Sequence, residues 1–321
     1  MIICVNYHYI KEDFTKKYES IFGIKPVEFK NQLSELSKIG KFISANDLDY
    51  NIRNNIKIKG VKFLVTFDDG LKEQFNTALP ILEEMGIPAL FFTNCSTSKY
   101  NKVEEVHKIH LIRSIISPQE ILNELEKNIE ISDDQKKISK NKGIKHYKYD
   151  NPNNAQLKYL LNFEISESKR LKFINNIFNK NFDEFKINKE LYMSNDELIK
   201  LSKKKMLGSH GFNHVAIGKQ SEKIINHEII DSYNYLKRLT GYKPIGFSFP
   251  YGSYESIFGT RKILEKSNYS FALSMERALN KDLSDPFCLS RFDNNDMPMG
   301  KAFRYKDSID LLKYSFRKWK I

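Results

Sequence analysis

Apolar runs of strand length alternate along the chain with stretches of helical periodicity. Ile2–His8 (IICVNYH) is a nearly continuous apolar run and predicts a short buried strand. In Pro26–Ile39, Val27, Phe29, Leu33, Leu36 and Ile39 recur at roughly helical spacing, and Gly40 offers a stop. Val61–Phe67 predicts a second strand, which runs into Asp68-Asp69-Gly70. A helix over about Glu73–Met85, closed by Gly86, and a strand at Ile87–Thr93 complete a strand–helix–strand alternation. That alternation is the pattern of a parallel α/β fold. It resumes with strands at Lys205–Ser209, Ile245–Phe249 and Tyr269–Ser274, separated by helices near Glu222–Thr240 and Phe258–Ser267.

Residues 100–193 (Tyr100–Met193) read differently. They are rich in Lys, Asn, Ile and Glu and carry helical patterns at Pro118–Glu130 and Ala155–Phe163. The stretch predicts a helical insertion within a single domain spanning residues 1–321. Just beyond it, Ser194 and Glu197 form the pattern of a capping box. The C-terminal Asp307–Ile321 suggests a basic amphipathic helix, with Leu311, Leu312, Phe316 and Trp319 as its apolar stripe. Docked on its own core, such a helix is structural; free, it could touch an anionic membrane surface peripherally.

Composition narrows the class. Of 321 residues, 40% are hydrophobic and 13% aromatic, which supports a buried core and excludes disorder as the main state. Mean hydropathy is −0.51, and no apolar run approaches the roughly 20 residues of a membrane span. The first residues lack the basic and apolar regions of a signal peptide, and three scattered cysteines form no CxxC pair. These features point to a cytoplasmic protein, with a peripheral place at the inner membrane face as the alternative expectation. The net charge of +12 raises nucleic acid as a partner. The lysines are dispersed and no zinc-finger or RNP-like signature accompanies them, so the expectation is no nucleic acid and steering of phosphate-bearing small molecules instead.

Three short segments could carry chemistry. Asp68 and Asp69 sit at a strand end before a glycine, and strand alternation should aim them differently, one toward a metal and one toward a water. His210 and His214 form an H-x3-H pair, whose i,i+4 spacing would share a helix face. Two imidazoles and a carboxylate suit Zn, Fe, Co or Ni. Phe249-Pro250-Tyr251-Gly252 is a strand end running into a turn that could aim a backbone N–H at developing negative charge. His107 and His110 are a competing pair, expected to be structural or surface residues because they lie in the insertion.

In this order, each at a predicted strand end, TFDDG (Thr66–Gly70), SHGFNH (Ser209–His214) and FPYG (Phe249–Gly252) resemble the first three motifs of the polysaccharide deacetylase family. This is the NodB-homology domain of carbohydrate esterase family 4. Asn6-Tyr7-His8, the stretch Pro26–Asp47, and Asn76–Leu82 before Gly86-Ile87-Pro88 resemble the surroundings of the first motif. The resemblance covers about Met1–Cys95 and Tyr192–Asp296.

It implies a distorted (β/α) barrel with its site at the carboxyl ends of the strands. It further implies Asp69, His210 and His214 as ligands of one divalent metal, zinc first, with Co, Ni or Fe as alternatives. Asp68 would be the general base, and Pro250 with the Tyr251 backbone N–H would serve substrate and oxyanion. Two departures stand out. Phe247-Ser248-Phe249 replaces the usual Arg before the Pro-Tyr motif, and the late Leu-x-His is missing, since the last histidine is His227. The subgroup resembling poly-N-acetylglucosamine deacetylases has an early Tyr-His instead, which makes His8 the expected general acid. Arg291 would steady the base. The implied activity is removal of an N-acetyl group from a nucleotide-linked, lipid-linked or oligosaccharide amino sugar in surface-glycan synthesis. N-deformylation, or a catalytically silent glycan-binding scaffold, are the alternatives.

Overall fold

The computed structural model describes residues 1–14, 23–147, 150–218 and 220–321. The strands are β1 (Ile2–Tyr7), β2 (Lys41–Phe42), β3 (Lys62–Phe67), β4 (Ala89–Thr93), β5 (Leu207–Ser209), β6 (Gly246–Ser248), β7 (Phe271–Leu273) and β8 (Arg291–Asp293). All pairings between them are parallel, in the order β7-β6-β5-β4-β3-β1-β8, with β2 beside the first part of β3. The sheet nearly closes on itself. Leu289, just ahead of β8, bridges Leu273 of β7, with Leu289 N donating to Ala272 O at 3.0 Å and Ser274 N to Leu289 O at 2.8 Å. The result is the expected α/β barrel with helices around it.

Strand alternation sorts the side chains into two sets. Ile3, Val5, Tyr7, Phe63, Val65, Phe67, Ala89 and Phe91 pack outward with the helices, among them Phe29, Leu33 and Leu36 of the helix Pro26–Ile39. Ile2, Cys4, Leu64, Leu90, Phe92, Phe271, Leu273 and Leu289 form the interior cluster. Two glycines make room for it: a Cβ on Gly208 would stand 2.5 Å from the Phe92 ring, and one on Gly246 2.5 Å from the Phe271 ring. Beyond this apolar layer, toward the carboxyl ends, the same inward row turns polar with Asn6, Thr66, Asp68, His210, Ser248 and Arg291, all buried. This polar layer holds the candidate chemistry.

The chain forms two compact units. The barrel comprises Met1–Glu12, Gly23–Lys102 and Asn188–Ile321, and the second unit comprises Val103–Ile187 with, among the described residues, Asp13 and Phe14. The second unit is helical, including Glu105–Arg113, Pro118–Asn128, Asp133–His146, Pro152–Tyr159 and Glu167–Asn181. Ser117 and Ser132 open two of these helices with capping boxes. Leu111, Leu125, Leu157, Leu160, Phe173 and Phe178 are buried within it, and Arg170 pairs with both carboxylate oxygens of Glu105 at 2.5 and 3.2 Å. His107 is fully buried there with its ring 6.1 Å from that of His110.

Several expectations are met locally. Ser194 caps the helix Asn195–Lys203, accepting from Glu197 N at 3.3 Å while Glu197 Oε2 accepts from Ser194 N at 2.6 Å. The helix expected near Glu222–Thr240 is present as Glu222–Asn226, a π-helical turn His227–Asp231 and Ser232–Thr240. The region Phe258–Ser267 is helical only at Arg261–Lys266, because the chain turns at Gly259 with φ of 83°.

The C-terminal expectation is corrected. Asp307–Ile321 is not an amphipathic α-helix but a 3-10 turn, Ser308–Lys313, followed by an extended strap. Leu279 N donates to Ser315 O at 2.8 Å, Arg317 N to Leu279 O at 3.0 Å, and the buried Glu276 carboxylate accepts from Lys318 N and Trp319 N. Backbone pairing thus outcompetes helix formation. Leu311 is buried in the core and Trp319 packs against the cluster containing Phe249, so the apolar stripe of an interfacial helix is not assembled. No helix among the described residues is long and apolar enough to cross a membrane.

Candidate active site

The candidate side chains reach the polar layer from five strands: His8 follows β1, Asp68 and Asp69 follow β3, His210 and His214 follow β5, Pro250 and Tyr251 follow β6, and Arg291 opens β8. Asp68 and Asp69 follow β3, and the chain reverses there through left-handed conformations at Asp69 (φ 77°) and Gly70 (φ 63°). A Cβ at Gly70 would lie 2.4 Å from Thr93 Oγ1, so the turn requires glycine. The reversal separates the carboxylates as strand alternation anticipates. Asp68 faces Arg291 and Asn6, and Asp69 faces the histidines.

His210 and His214 do converge, but not on a helix. They flank a loop in which Gly211 has φ of 82° and His214 φ of 54°. The loop is clamped from both sides. Asn94 Nδ2 donates to His210 O at 2.5 Å, and Cys95 N and Ser96 N donate to Gly211 O and Phe212 O at 3.2 and 2.8 Å. From the other side the buried Glu228 carboxylate accepts from Phe212 N at 2.7 Å, from Asn213 N at 3.0 Å and from Asn213 Nδ2 at 3.0 Å. Left-handed non-glycine residues at Asp69, His214 and Tyr251 concentrate backbone strain at this rim, as functional sites often do.

Asp69, His210 and His214 place their ligand atoms within 4.8 Å of one another, the one such buried cluster among the described residues. Asp69 Oδ1 lies 3.5 Å from Nε2 of His210 and 3.5 Å from Nε2 of His214. Donors about 2.1 Å from one tetrahedral ion stand roughly 3.4 Å apart, so the spacing suits a cation at their centre. The protonation states suit it too. His210 Nδ1 lies 2.8 Å from Ser248 O, and since a carbonyl only accepts, Nδ1 carries the proton and Nε2 presents its lone pair. Burial also lowers the His210 pKa to about 4, against the opposing pull of Asp68 and Asp69. The residues fit a divalent metal.

Asp68 is held as an anion. Burial is the largest single influence and raises its pKa, but the Arg291 charge, the His210 ring and the Arg291 hydrogen bonds together outweigh it, and the carboxyl falls to about 2. Arg291, fully buried, donates from Nη1 to Asp68 Oδ1 at 2.8 Å and from Nη2 to Asp68 Oδ2 at 2.6 Å. Asn6 Nδ2 adds a bond to Asp68 Oδ2 at 3.0 Å, and Arg291 also reaches Ser248 Oγ at 2.9 Å. Asp68 Oδ2 stands 3.9 Å from His210 Nε2, beside the three-ligand cluster.

His8 follows β1 at the same rim, partly buried. Its Nε2 lies 3.5 Å from Asn6 Nδ2, which also donates to Asp68 Oδ2. Gln74 ties the two strand ends together, donating to His8 O at 3.1 Å and Asp68 O at 2.6 Å. Pro250 and Tyr251 follow β6 in a tight turn closed by Gly252 N to Pro250 O at 2.7 Å. The exposed Tyr251 sets its ring 5.0 Å from that of His214. All eight candidate residues therefore lie on one rim, whereas His107 and His110 belong to the other unit.

Sequence reasoning missed Asn6, Ser248 and Glu228 as working parts. Asn6 and Ser248 carried a readable signal, polar residues inside otherwise apolar strands. Glu228 carried none, because nothing in its own segment distinguishes it from the charged residues around it.

A family model described as polysaccharide deacetylase matches residues 177–272, a stretch that includes His210, His214, Pro250 and Tyr251. No curated protein matches the chain. Among solved structures, the chain is similar to a Streptococcus pyogenes deacetylase, PplD, in complex with acetate, at 15% identity and TM-score 0.55, covering 91% of each chain. It is also similar to IcaB from Ammonifex degensii, at 17% identity and TM-score 0.54, covering 91% of this chain and 90% of that one. A de-N-acetylase from Aggregatibacter actinomycetemcomitans matches at 14% identity and TM-score 0.52, covering 91% of this chain and 95% of the other. At such identities these likenesses show the fold.

Proposed function

We propose that this chain is a member of the polysaccharide deacetylase family, whose model matches residues 177–272, and that it is a metal-dependent hydrolase that removes the N-acetyl group from an amino sugar. The observation that carries the reading is the joining of two groups: the Asp69–His210–His214 donor set, and an Asp68 carboxylate held ionised beside it by Arg291.

Asp69, His210 and His214 would hold a divalent cation, which would supply Lewis acidity toward an acyl oxygen and a bound water. Asp68 accepts the proton of the attacking water through Oδ2. Arg291 and Asn6 fix that oxygen's position, so no reorientation accompanies proton transfer. With its carboxyl lowered to about 2, Asp68 is ionised at neutral pH and so free to accept a proton. The Tyr251 backbone N–H, in its strained turn, stabilises the tetrahedral oxyanion, a role worth about 2.7–4 kcal/mol for a well-aimed donor. His8 delivers the proton that lets the amine leave, a task suited to an imidazole.

The test uses purified protein and a panel of N-acetyl amino sugars, following acetate and free amine together. Wild-type protein should release both in equal amounts. Asp68→Asn should retain metal and lose about 10²–10⁴ in kcat. An Asp68→Asn protein with normal turnover would remove the base from the scheme.

A further inference from the structure

The ladder between β1 and β3 ends at the pair Tyr7 and Phe67, with Asp68 N donating to Tyr7 O at 3.2 Å as its last rung. Beyond it, the carbonyls of His8 and Asp68 meet the same fully buried side chain, Gln74. Two carbonyl oxygens cannot hydrogen-bond each other, because both only accept. Gln74 supplies the missing donors, with Nε2 reaching His8 O at 3.1 Å and Asp68 O at 2.6 Å. Both partners are acceptors, so the amide nitrogen must lie on that side, and Oε1 meets no donor among the described residues. A buried amide with an unpaired oxygen carries a desolvation cost, offset here by its two donor bonds.

The neighbouring residue grips the same segment. Glu73 Oε1 accepts from Ile10 N at 2.6 Å, so Glu73 and Gln74 hold the chain on both sides of Tyr9. The far edge of that segment pairs with Ile24, whose N donates to Tyr9 O at 3.1 Å and whose O accepts from Lys11 N at 3.3 Å. The grip is itself anchored: Gln74 N donates to Leu71 O at 3.0 Å, Leu71 bridges Tyr192, and Met193 N donates to Gly70 O at 2.9 Å. Asp68 has separate supports, since Arg291 and Asn6 fix its carboxylate. The His8 ring has a single long polar contact among the described residues, Asn6 Nδ2 at 3.5 Å, so its aim follows its backbone.

We propose that Glu73 and Gln74 form a positioning clamp for proton delivery, holding the backbone around His8 so that its imidazole meets the departing amine beside Asp68. The proposal rests on the deacetylase reading, with His8 as its acid, and names the residues that act through that acid. Neither is a catalytic residue; each works on the chain that carries His8. Misplacing a reacting group by about 1 Å costs about 100-fold in rate, so a hold on the His8 carbonyl has the leverage this role requires.

An amide nitrogen must be protonated as its bond to carbon breaks, whereas p-nitrophenolate leaves without a proton. Two substrates therefore separate the clamp from a general loss of structure. Gln74→Met, close in shape but without donors, should lower kcat for an N-acetyl amino sugar about 10–100-fold, with KM and zinc occupancy little changed. Its turnover of p-nitrophenyl acetate should stay within about threefold of wild type, and in a His8→Ala background it should cost nothing further. Should Gln74→Met not fold, Glu73→Ala should show the same selective loss, and Glu73→Gln, which keeps an acceptor for Ile10 N, should restore turnover. Equal losses on both substrates, or no loss, would overturn the clamp and leave the deacetylase reading intact. Imidazole NMR tests the clamp without turnover: Gln74→Met should shift or broaden the His8 ring signals and leave those of His107 unmoved. That result in a protein that deacetylates no sugar would keep the clamp and remove the deacetylase reading, whereas unmoved His8 signals would overturn the clamp.

Discussion

Arg291→Met removes the positive half of a fully buried ion pair while preserving much of the side chain's length. Arg291 makes two charge-assisted bonds to Asp68 and further bonds to Ser248 Oγ at 2.9 Å and Asn6 Oδ1 at 3.2 Å. In the wild type the Asp68 carboxyl is lowered from 3.8 to about 2, a shift worth about 2 kcal/mol of stability at neutral pH. Because the folded pKa is lowered, that contribution is present above pH 3.8 and is lost as pH falls through about 2. Without Arg291, burial dominates and the Asp68 pKa rises instead. The variant therefore buries an uncompensated charge, at a cost of about 3–5 kcal/mol at pH 7. The sign of its pH dependence also reverses: a raised carboxyl is destabilising above its pKa, and the penalty is relieved by acid. Urea denaturation in the presence of a chelator, at pH 7 and pH 4, measures both effects. The gap between wild type and variant should be several kcal/mol at pH 7 and distinctly smaller at pH 4. A gap below about 1 kcal/mol, or one that does not narrow at pH 4, would refute the reasoning.

Two further predictions concern residues around this pair. Glu228→Gln replaces one of the carboxylate oxygens that accept from Phe212 and Asn213, loosening the His210–His214 loop; zinc affinity, read by competition with a chelating dye, should fall about 10–100-fold. Unchanged affinity would mean that the loop holds itself. His8→Ala should keep its metal and lose about 10²–10⁴ in kcat, and near-normal turnover would return the acid role to solvent or another group.

Much of the site was legible because its chemistry sits at strand ends. An apolar run stopping at Asp68-Asp69-Gly70, or at Ser209-His210, announces a side chain delivered to one rim, and the parallel alternation places those ends together. What the spacing misjudged was the local mechanism. H-x3-H suggests a helix face, yet His210 and His214 meet through a loop shaped by Gly211 and clamped by Asn94, Cys95, Ser96 and Glu228. Those clamps lie far apart in sequence, so no local pattern reveals them. The tail misled for a related reason. Its apolar spacing is helical, but Glu276 and Leu279 offer its backbone better partners, and that competition is decided by tertiary structure.

The central claim, hydrolysis dependent on the Asp69–His210–His214 metal set, is tested most directly by titrating zinc into chelator-stripped protein while following acetate release from an N-acetyl amino sugar. Activity should rise linearly and level off at about one equivalent per chain, and Asp69→Ala should remain inactive across the same titration. Full acetate release by the stripped protein, or by Asp69→Ala, would contradict the account.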